Sequence, residues 1–152
     1  MASHGEVIID TNVVGGWCFN EPDKPLAPAV RACVVGGDVK WVAPDLFWAE
    51  FQHLCRNKHY QDGVSWEDCL EHYAGTMELP RTDVPGILEE CRDQAWEYIA
   101  RLGLGSYDAY FLCLAVNPNL PIWTCDDPFY RICQRDPAMA RFVLKLGVDI
   151  TP

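Results

Sequence analysis

The sequence predicts an α/β protein with a parallel sheet covered by helices on both faces. Three observations carry this. Val7-Ile8-Ile9 is an unbroken run of branched apolar residues, the pattern of a strand buried on both sides. Short apolar runs recur at Val39-Lys40-Trp41-Val42 and Pro121-Ile122-Trp123-Thr124. Helical patterns separate these runs, which implies βαβ units with right-handed crossovers.

The elements follow in order. The first strand runs into Asp10-Thr11-Asn12, and a short helix from Asn12 to Cys18 follows, weakened by Gly15-Gly16 and capped by Asn12 or Thr11. Asn20-Glu21-Pro22-Asp23 is a loop, and a helix over Pro25 to Val35 closes at Gly36-Gly37. After the second strand, Pro44 stands at or near the first position of a helix reaching Tyr60. Asp62-Gly63 is a turn. Ser65, with Asp68 three residues on, caps a helix to about Met77. Leu79-Pro80 stops it, and Pro85 to Leu102 makes another helix, ended by Gly103. Ser106 is the expected N-cap for Tyr107 to Val116, which Pro118 terminates. A helix from Pro128 to about Gln134 follows the next strand. A helical turn near Ala138 leads to a last strand over Phe142 to Leu146.

Bulk properties narrow the class. A chain of 152 residues suits a single domain, and 49% hydrophobic with 22% charged residues excludes a disordered chain. No apolar run approaches the roughly 20 residues of a membrane span. Met1-Ala2-Ser3-His4-Gly5 lacks the basic and apolar regions of a signal peptide, so a cytoplasmic protein with no membrane association is expected. A net charge of -10 disfavours nucleic-acid binding through Lys and Arg alone. It leaves room for a nuclease in which a divalent cation supplies positive charge locally.

The 8 cysteines lack the tight paired spacing of a zinc ribbon, and a core of this size needs no disulfide staples. On apolar helix faces free Cys acts as a small hydrophobe. A disulfide remains open for a thermophile cytoplasm. So does a zinc site, because Cys55 with His59 and Cys69 with His72 have helical spacing.

Four acids stand out. Asp10 follows the first buried strand, where open α/β sheets bind ligands. Glu50 shares a helix face with Phe47, Phe51 and Leu54. It is either a border residue reaching Arg56 or Lys58, or a buried carboxylate that needs a partner, a metal or a proton. Asp108 heads the stripe Phe111, Leu112, Ala115, and is either a first-turn helix acid or an inward functional group. In Cys125-Asp126-Asp127-Pro128, Asp127 is the expected N-cap, which leaves Asp126 free, with Thr124 adding a hydroxyl at the same rim. Converging carboxylates repel and raise one another's pKa unless cations sit among them. Such a set suits Mg²⁺ or Mn²⁺ and metal-assisted phosphodiester hydrolysis.

With these residues placed, the sequence resembles the PIN-domain family of ribonucleases, in particular toxins of the VapC type. The resemblance rests on Asp10-Thr11-Asn12, Ala43-Pro44 leading to Glu50, Ser106-Tyr107-Asp108-Ala109-Tyr110 through Leu114-Ala115, and Thr124-Cys125-Asp126. It implies a PIN-like three-layer α/β/α fold with a five-stranded parallel central sheet. It implies metal-dependent endonucleolytic cleavage of RNA by an acidic quartet holding one or two Mg²⁺ or Mn²⁺. By this resemblance Asp10, Glu50, Asp108 and Asp126 are the ligands, and Thr11, Asn12 and Thr124 orient ligands or water. Water attacks phosphorus in line and the 3′-oxygen leaves. Homodimerisation and capture by a cognate antitoxin protein are also implied, through apolar faces of the Ser65 and Pro85 helices.

His53 departs from the family pattern, where many members carry Asn, and is read mainly as a core hydrogen-bonding residue. Arg56 and Lys58 (with His59), and Arg131 and Arg135 (with Arg141), are candidate RNA-binding groups or solvated faces. The six Trp residues read as core or interface rather than stacking platforms. Two competing classes remain: a non-catalytic PIN-like RNA- or protein-binding module, and a phosphatase-like hydrolase. The second is weakened because Asp10 is followed by Thr11-Asn12 and not by an Asp-x-Asp motif.

Overall fold

The computed structural model describes residues 5–152. Met1 to His4, part of the stretch read for targeting signals, lie outside them. Five parallel strands form one sheet: β1 (Gly5–Ile9), β2 (Val39–Pro44), β3 (Thr82–Val84), β4 (Ile122–Thr124) and β5 (Val143–Lys145). Their order is β3-β2-β1-β4-β5, in agreement with the expected five-stranded parallel sheet.

β1 takes the centre because it is apolar on both sides, with Val7, Ile8 and Ile9 fully buried. Each such burial stabilises by roughly 1.5–3 kcal/mol. β1 pairs with β2 from Gly5↔Val39 to Ile8↔Val42, and with β4 at Ile8↔Ile122 and Ile9↔Trp123. That second register ends β1 and β4 side by side, so Asp10 and Thr124 emerge as neighbours. The chain winds outward from β1 to β2 and β3, then returns to β4 and β5 on the other side. Right-handed crossovers then put helices on both faces and leave a crevice at the carboxyl ends of β1 and β4.

The helices are α1 (Thr11–Phe19), α2 (Ala27–Gly36), α3 (Leu46–Asp62), α4 (Trp66–Met77), α5 (Ile87–Glu90), α6 (Arg92–Leu102), α7 (Ser106–Val116), α8 (Asp127–Gln134) and α9 (Pro137–Ala140). α1 lies closer to its neighbours than a side chain permits. A Cβ on Gly16 would stand 2.8 Å from the Ala27 Cβ, and one on Gly15 would stand 2.6 Å from a Leu54 methyl carbon. The glycine pair that weakens α1 as an isolated helix is what seats it against α2 and α3. Among the described residues no single helix is long and apolar enough to cross a membrane.

The structure departs from several sequence expectations, each for a local reason. α3 begins at Leu46, because Pro44 still belongs to β2, in register with Val84. Asp45 caps it, its Oδ1 accepting from Leu46 N at 2.9 Å while its Oδ2 accepts from Gly86 N at 3.0 Å. β3 has no sequence signal, being a three-residue edge strand of exposed or half-buried residues. The span Pro85 to Leu102 is two helices, because Gly86 takes φ 78 and Cys91 leaves helical geometry at φ -101, ψ 3. α2 starts at Ala27, α1 starts at Thr11 with Asp10 before it, and Gly105 rather than Ser106 precedes α7. Ser65 does cap α4, accepting from Asp68 N at 3.0 Å.

Cysteine use also differs from expectation. Cys91 and Cys113 form a disulfide that ties the α5–α6 junction to α7. Cys55, Cys69 and Cys133 are buried free thiols, as small hydrophobes would be. The Cys55, His59, Cys69, His72 set does not converge. His59 Nδ1 bonds Val64 O at 2.7 Å and its ring stacks on Trp66, while His72 packs on Phe19 and Cys69 Sγ donates to the Cys55 carbonyl. Of the tryptophans, Trp17, Trp41 and Trp123 are core, while Trp66 and Trp96 are exposed.

Candidate active site

The crevice at the ends of β1 and β4 gathers side chains from four elements. Asp10 stands between β1 and α1, Glu50 is on α3, Asp108 is in the first turn of α7, and Asp126 follows β4. All four line one cleft, together with Thr11, Asn12, His53, Leu54, Asn57, Lys58, Gln61 and Asp62. Sequence reasoning did not place Asn57 and Gln61 here. The signal was available, since both continue the face of α3 that Glu50 starts.

Asp10 is 5% exposed and tightly held. Its Oδ2 accepts from Thr124 Oγ1 at 2.7 Å and from Asn12 Nδ2 at 3.0 Å. Both bonds fall on one oxygen, so among the described residues Oδ1 has no hydrogen-bond partner. The same groups bind the other side of the crevice. Asn12 Oδ1 accepts from Cys125 N at 3.1 Å, and Thr124 Oγ1 accepts from Asp126 N at 2.9 Å. Asp126 itself caps α8, its Oδ1 accepting from Phe129 N at 2.8 Å. That corrects the expectation that Asp127 is the cap and Asp126 is free. Asp127 instead pairs with Lys145, with Arg131 at 3.9 Å.

The electrostatics follow from burial and crowding. Burial, then the nearby charges of Asp108 and Glu50, raise Asp10 well above the carboxylate range, despite the Thr124 bond. Glu50 is raised by burial and by Asp126, against the lowering effect of Thr11 and His53. Asp108 is pushed up to about 7, by burial first, then by Asp126 and Glu50. Among the described residues no Lys or Arg forms an ion pair with any of the four. Lys58, the cation in the cleft, is paired with Glu21 at 3.3 Å and Asp62 at 3.0 Å.

The donor set fits a hard divalent cation. It is all oxygen, it is charged enough to repel itself, and the buried Thr11 Oγ1 at its edge completes no hydrogen bond among the described residues. As placed, no three His, Cys, Asp or Glu side chains among the described residues close up tightly enough to grip an ion directly.

Other expected groups lie elsewhere. His53 is exposed at the cleft and not in the core. Arg56 is exposed and sits over the Tyr60 ring at 5.0 Å, outside the cleft lining. Arg131 and Arg135 are exposed on and just after α8, also outside it.

A parallel α/β sheet with acids gathered at its switch point is the architecture of a PIN domain. The PIN domain model matches residues 7–134, and the chain belongs to that family. Two solved structures share the fold at low sequence identity. VapBC2 from Rickettsia felis, bound to a DNA fragment from their promoter, has a TM-score of 0.65 and 14% identity, covering 92% of this chain and 98% of that one. A toxin–antitoxin complex from Klebsiella pneumoniae has a TM-score of 0.57 and 14% identity, covering 91% and 95%. Comparison with curated protein sequences gives no significant match.

Proposed function

We propose that this PIN-domain protein is a metal-dependent endoribonuclease and the toxin of a toxin–antitoxin pair. The carrying observation is the cleft itself. Four carboxylates from four separate parts of the chain line it, and burial and mutual repulsion raise the proton affinity of Asp10, Glu50 and Asp108. Among the described residues no Lys or Arg is paired to any of the four. A fold without use for a cation has no reason to keep that repulsion.

On this reading Asp10, Glu50, Asp108 and Asp126 hold Mg²⁺ or Mn²⁺, partly through water, because the side chains stand apart. When bound, the ion lowers the pKa of a water and offsets charge on the scissile phosphate. Thr124 and Asn12 fix the Asp10 carboxylate through Oδ2, and among the described residues Oδ1 is left available. Thr11 holds a buried hydroxyl at the edge of the same cleft. Family membership supports nuclease chemistry, and the shared fold with toxin–antitoxin proteins supports the biological role. Trp66, Leu70 and Trp96, exposed on α4 and α6, are the surface proposed for an antitoxin or a second copy of the chain.

The test is cleavage of single-stranded RNA by purified protein with Mg²⁺ or Mn²⁺. Asp10→Asn is expected to abolish cutting while the far-UV circular dichroism spectrum stays native. Equal cutting by both proteins would sink the assignment. Binding of RNA without cutting by the unaltered protein would favour the non-catalytic module.

A further inference from the structure

Resting on that reading of the cleft as an RNA site, we propose that α3 carries a row of side chains that reads base edges. The row starts at Glu50 and continues with His53, Asn57 and Gln61, at i+3, i+7 and i+11, one face of the helix. All of these line the cleft. At 1.5 Å per residue the row extends about 16 Å from Glu50.

Its chemistry is imidazole and carboxamide, not guanidinium. Phosphate contacts position a strand, whereas carboxamides present a paired donor and acceptor to base edges. The cation in the cleft, Lys58, has its charge engaged by Glu21 and Asp62. Arg56, one turn before Tyr60, sits over that ring and outside the cleft. Among the described residues His53 and Gln61 have no hydrogen-bond partner, so their polar atoms are open to a ligand. Asn57 Oδ1 accepts from Arg56 Nη1 at 3.4 Å, which leaves its NH₂ group to donate. A duplex hides the edges that such groups read, so the ligand class is single-stranded RNA with unpaired bases beside the cut.

Two consequences separate this from electrostatic capture. Affinity depends weakly on salt, because each phosphate neutralised on a single strand contributes a slope of about -0.7. With one engaged lysine, affinity falls less than about threefold between about 50 and 200 mM salt. Base preference, by contrast, depends on Asn57 and Gln61.

The experiment uses the full chain carrying Asp10→Asn, expected to bind without cutting, and a randomised single-stranded RNA pool. Bound RNA is sequenced at the two salt concentrations for this protein and for the same protein with Asn57→Ala, Gln61→Ala or Gln61→Glu added. Each alanine change is expected to reduce preference at one position by about five- to 150-fold. Gln61→Glu is expected to move its position toward cytosine, whose N4 amino group donates to a carboxylate. Base preference untouched by all three changes overturns the proposal. So does a loss of affinity beyond about a hundredfold over the same salt range, which marks phosphate capture, or no bound RNA at all. Cutting by the unaltered protein that stops with Asp10→Asn upholds the ribonuclease reading by itself. A flat preference beside that result therefore removes only the role of the row.

Discussion

Thr124 Oγ1 donates to Asp10 Oδ2 at 2.7 Å, joining residues 114 positions apart at the ends of two adjacent strands. The same oxygen accepts from Asp126 N at 2.9 Å, so one fully buried hydroxyl holds both strand-end acids. Thr124→Val keeps the shape and removes both bonds. Stability is expected to fall by about 1–3 kcal/mol, the cost of buried groups left unpaired. Thermal denaturation should show a drop of roughly 2–12 °C for a chain of this size. RNA cutting should fall further than this loss of folded protein explains, because Asp10 loses its orientation. A variant as active as the parent would show that Asp10 needs no such support.

The acidic cluster sets the pH dependence. Asp10, Glu50 and Asp108 all bind protons more readily folded than unfolded, with Asp108 at about 7. Between about pH 4 and 7 the folded chain therefore holds protons that the unfolded chain has released. Without a divalent cation, stability is expected to fall as pH rises through that window. Asp127 and Asp136 act in the opposite sense at lower pH. Lys145 and Arg101 hold them below the ordinary carboxylate range, so their contribution is lost as pH falls below about 4. Melting temperature measured with a chelator should be higher at pH 5.5 than at pH 7.5, and added Mn²⁺ should narrow that gap. A metal-free protein more stable at the higher pH would contradict the electrostatics described for the cleft.

The disulfide makes a separate prediction. Cys91 and Cys113 are 22 residues apart, and closing a loop of that length restricts the unfolded chain by about 3 kcal/mol. Reduction, or Cys91→Ala with Cys113→Ala, should lower the melting temperature by roughly 6–12 °C. Both sulfurs are buried, so reduction should require prior opening and be slow in native protein. Fast reduction with no change in melting temperature would exclude a stabilising role.

Gly15 and Gly16 are both expected to resist alanine, but unequally. The Gly16 Cβ would meet the Ala27 Cβ at 2.8 Å and the Lys24 Cβ at 3.0 Å, atoms fixed to the backbone. Overpacking of this kind costs about 1–3 kcal/mol and exceeds the gain in helix propensity, about 1 kcal/mol. At Gly15 the obstacle is a Leu54 methyl group, the movable end of a side chain. Urea denaturation should therefore rank Gly16→Ala below Gly15→Ala in stability, and the reverse order would contradict the packing.

The sheet was legible because its central strands are apolar on both faces. The four acids stood out because Asp10 and Asp126 come just after apolar strands, Asp108 heads an apolar helix stripe and Glu50 shares a helix face with Phe47, Phe51 and Leu54. β3 was not legible. An edge strand reading Thr82-Asp83-Val84 has no buried side to impose a pattern. The cap of α8 was misread for a related reason, since proline spacing alone favours Asp127, and only the tertiary pull of Lys145 on Asp127 decides between the two. Cysteine pairing depends on how α7 meets the α5–α6 junction, which periodicity along either helix does not encode. His53 fell on the boundary between the apolar stripe of α3 and its solvent face, where a shift of one position along the helix changes the environment by about 100°.

The register of β1 against β4 also has a consequence in time. Asp10 is made well before the hydroxyl that fixes it, at position 124, and before the last acid of the cleft, at 126. During synthesis Asp10 must wait 114 residues for its partner, and pairing across so long a separation is slow. No nascent fragment ending before Asp126 contains the assembled cleft. The cleft thus stays incomplete on the ribosome until Asp126 has emerged, a built-in delay between making its first acid and closing the set.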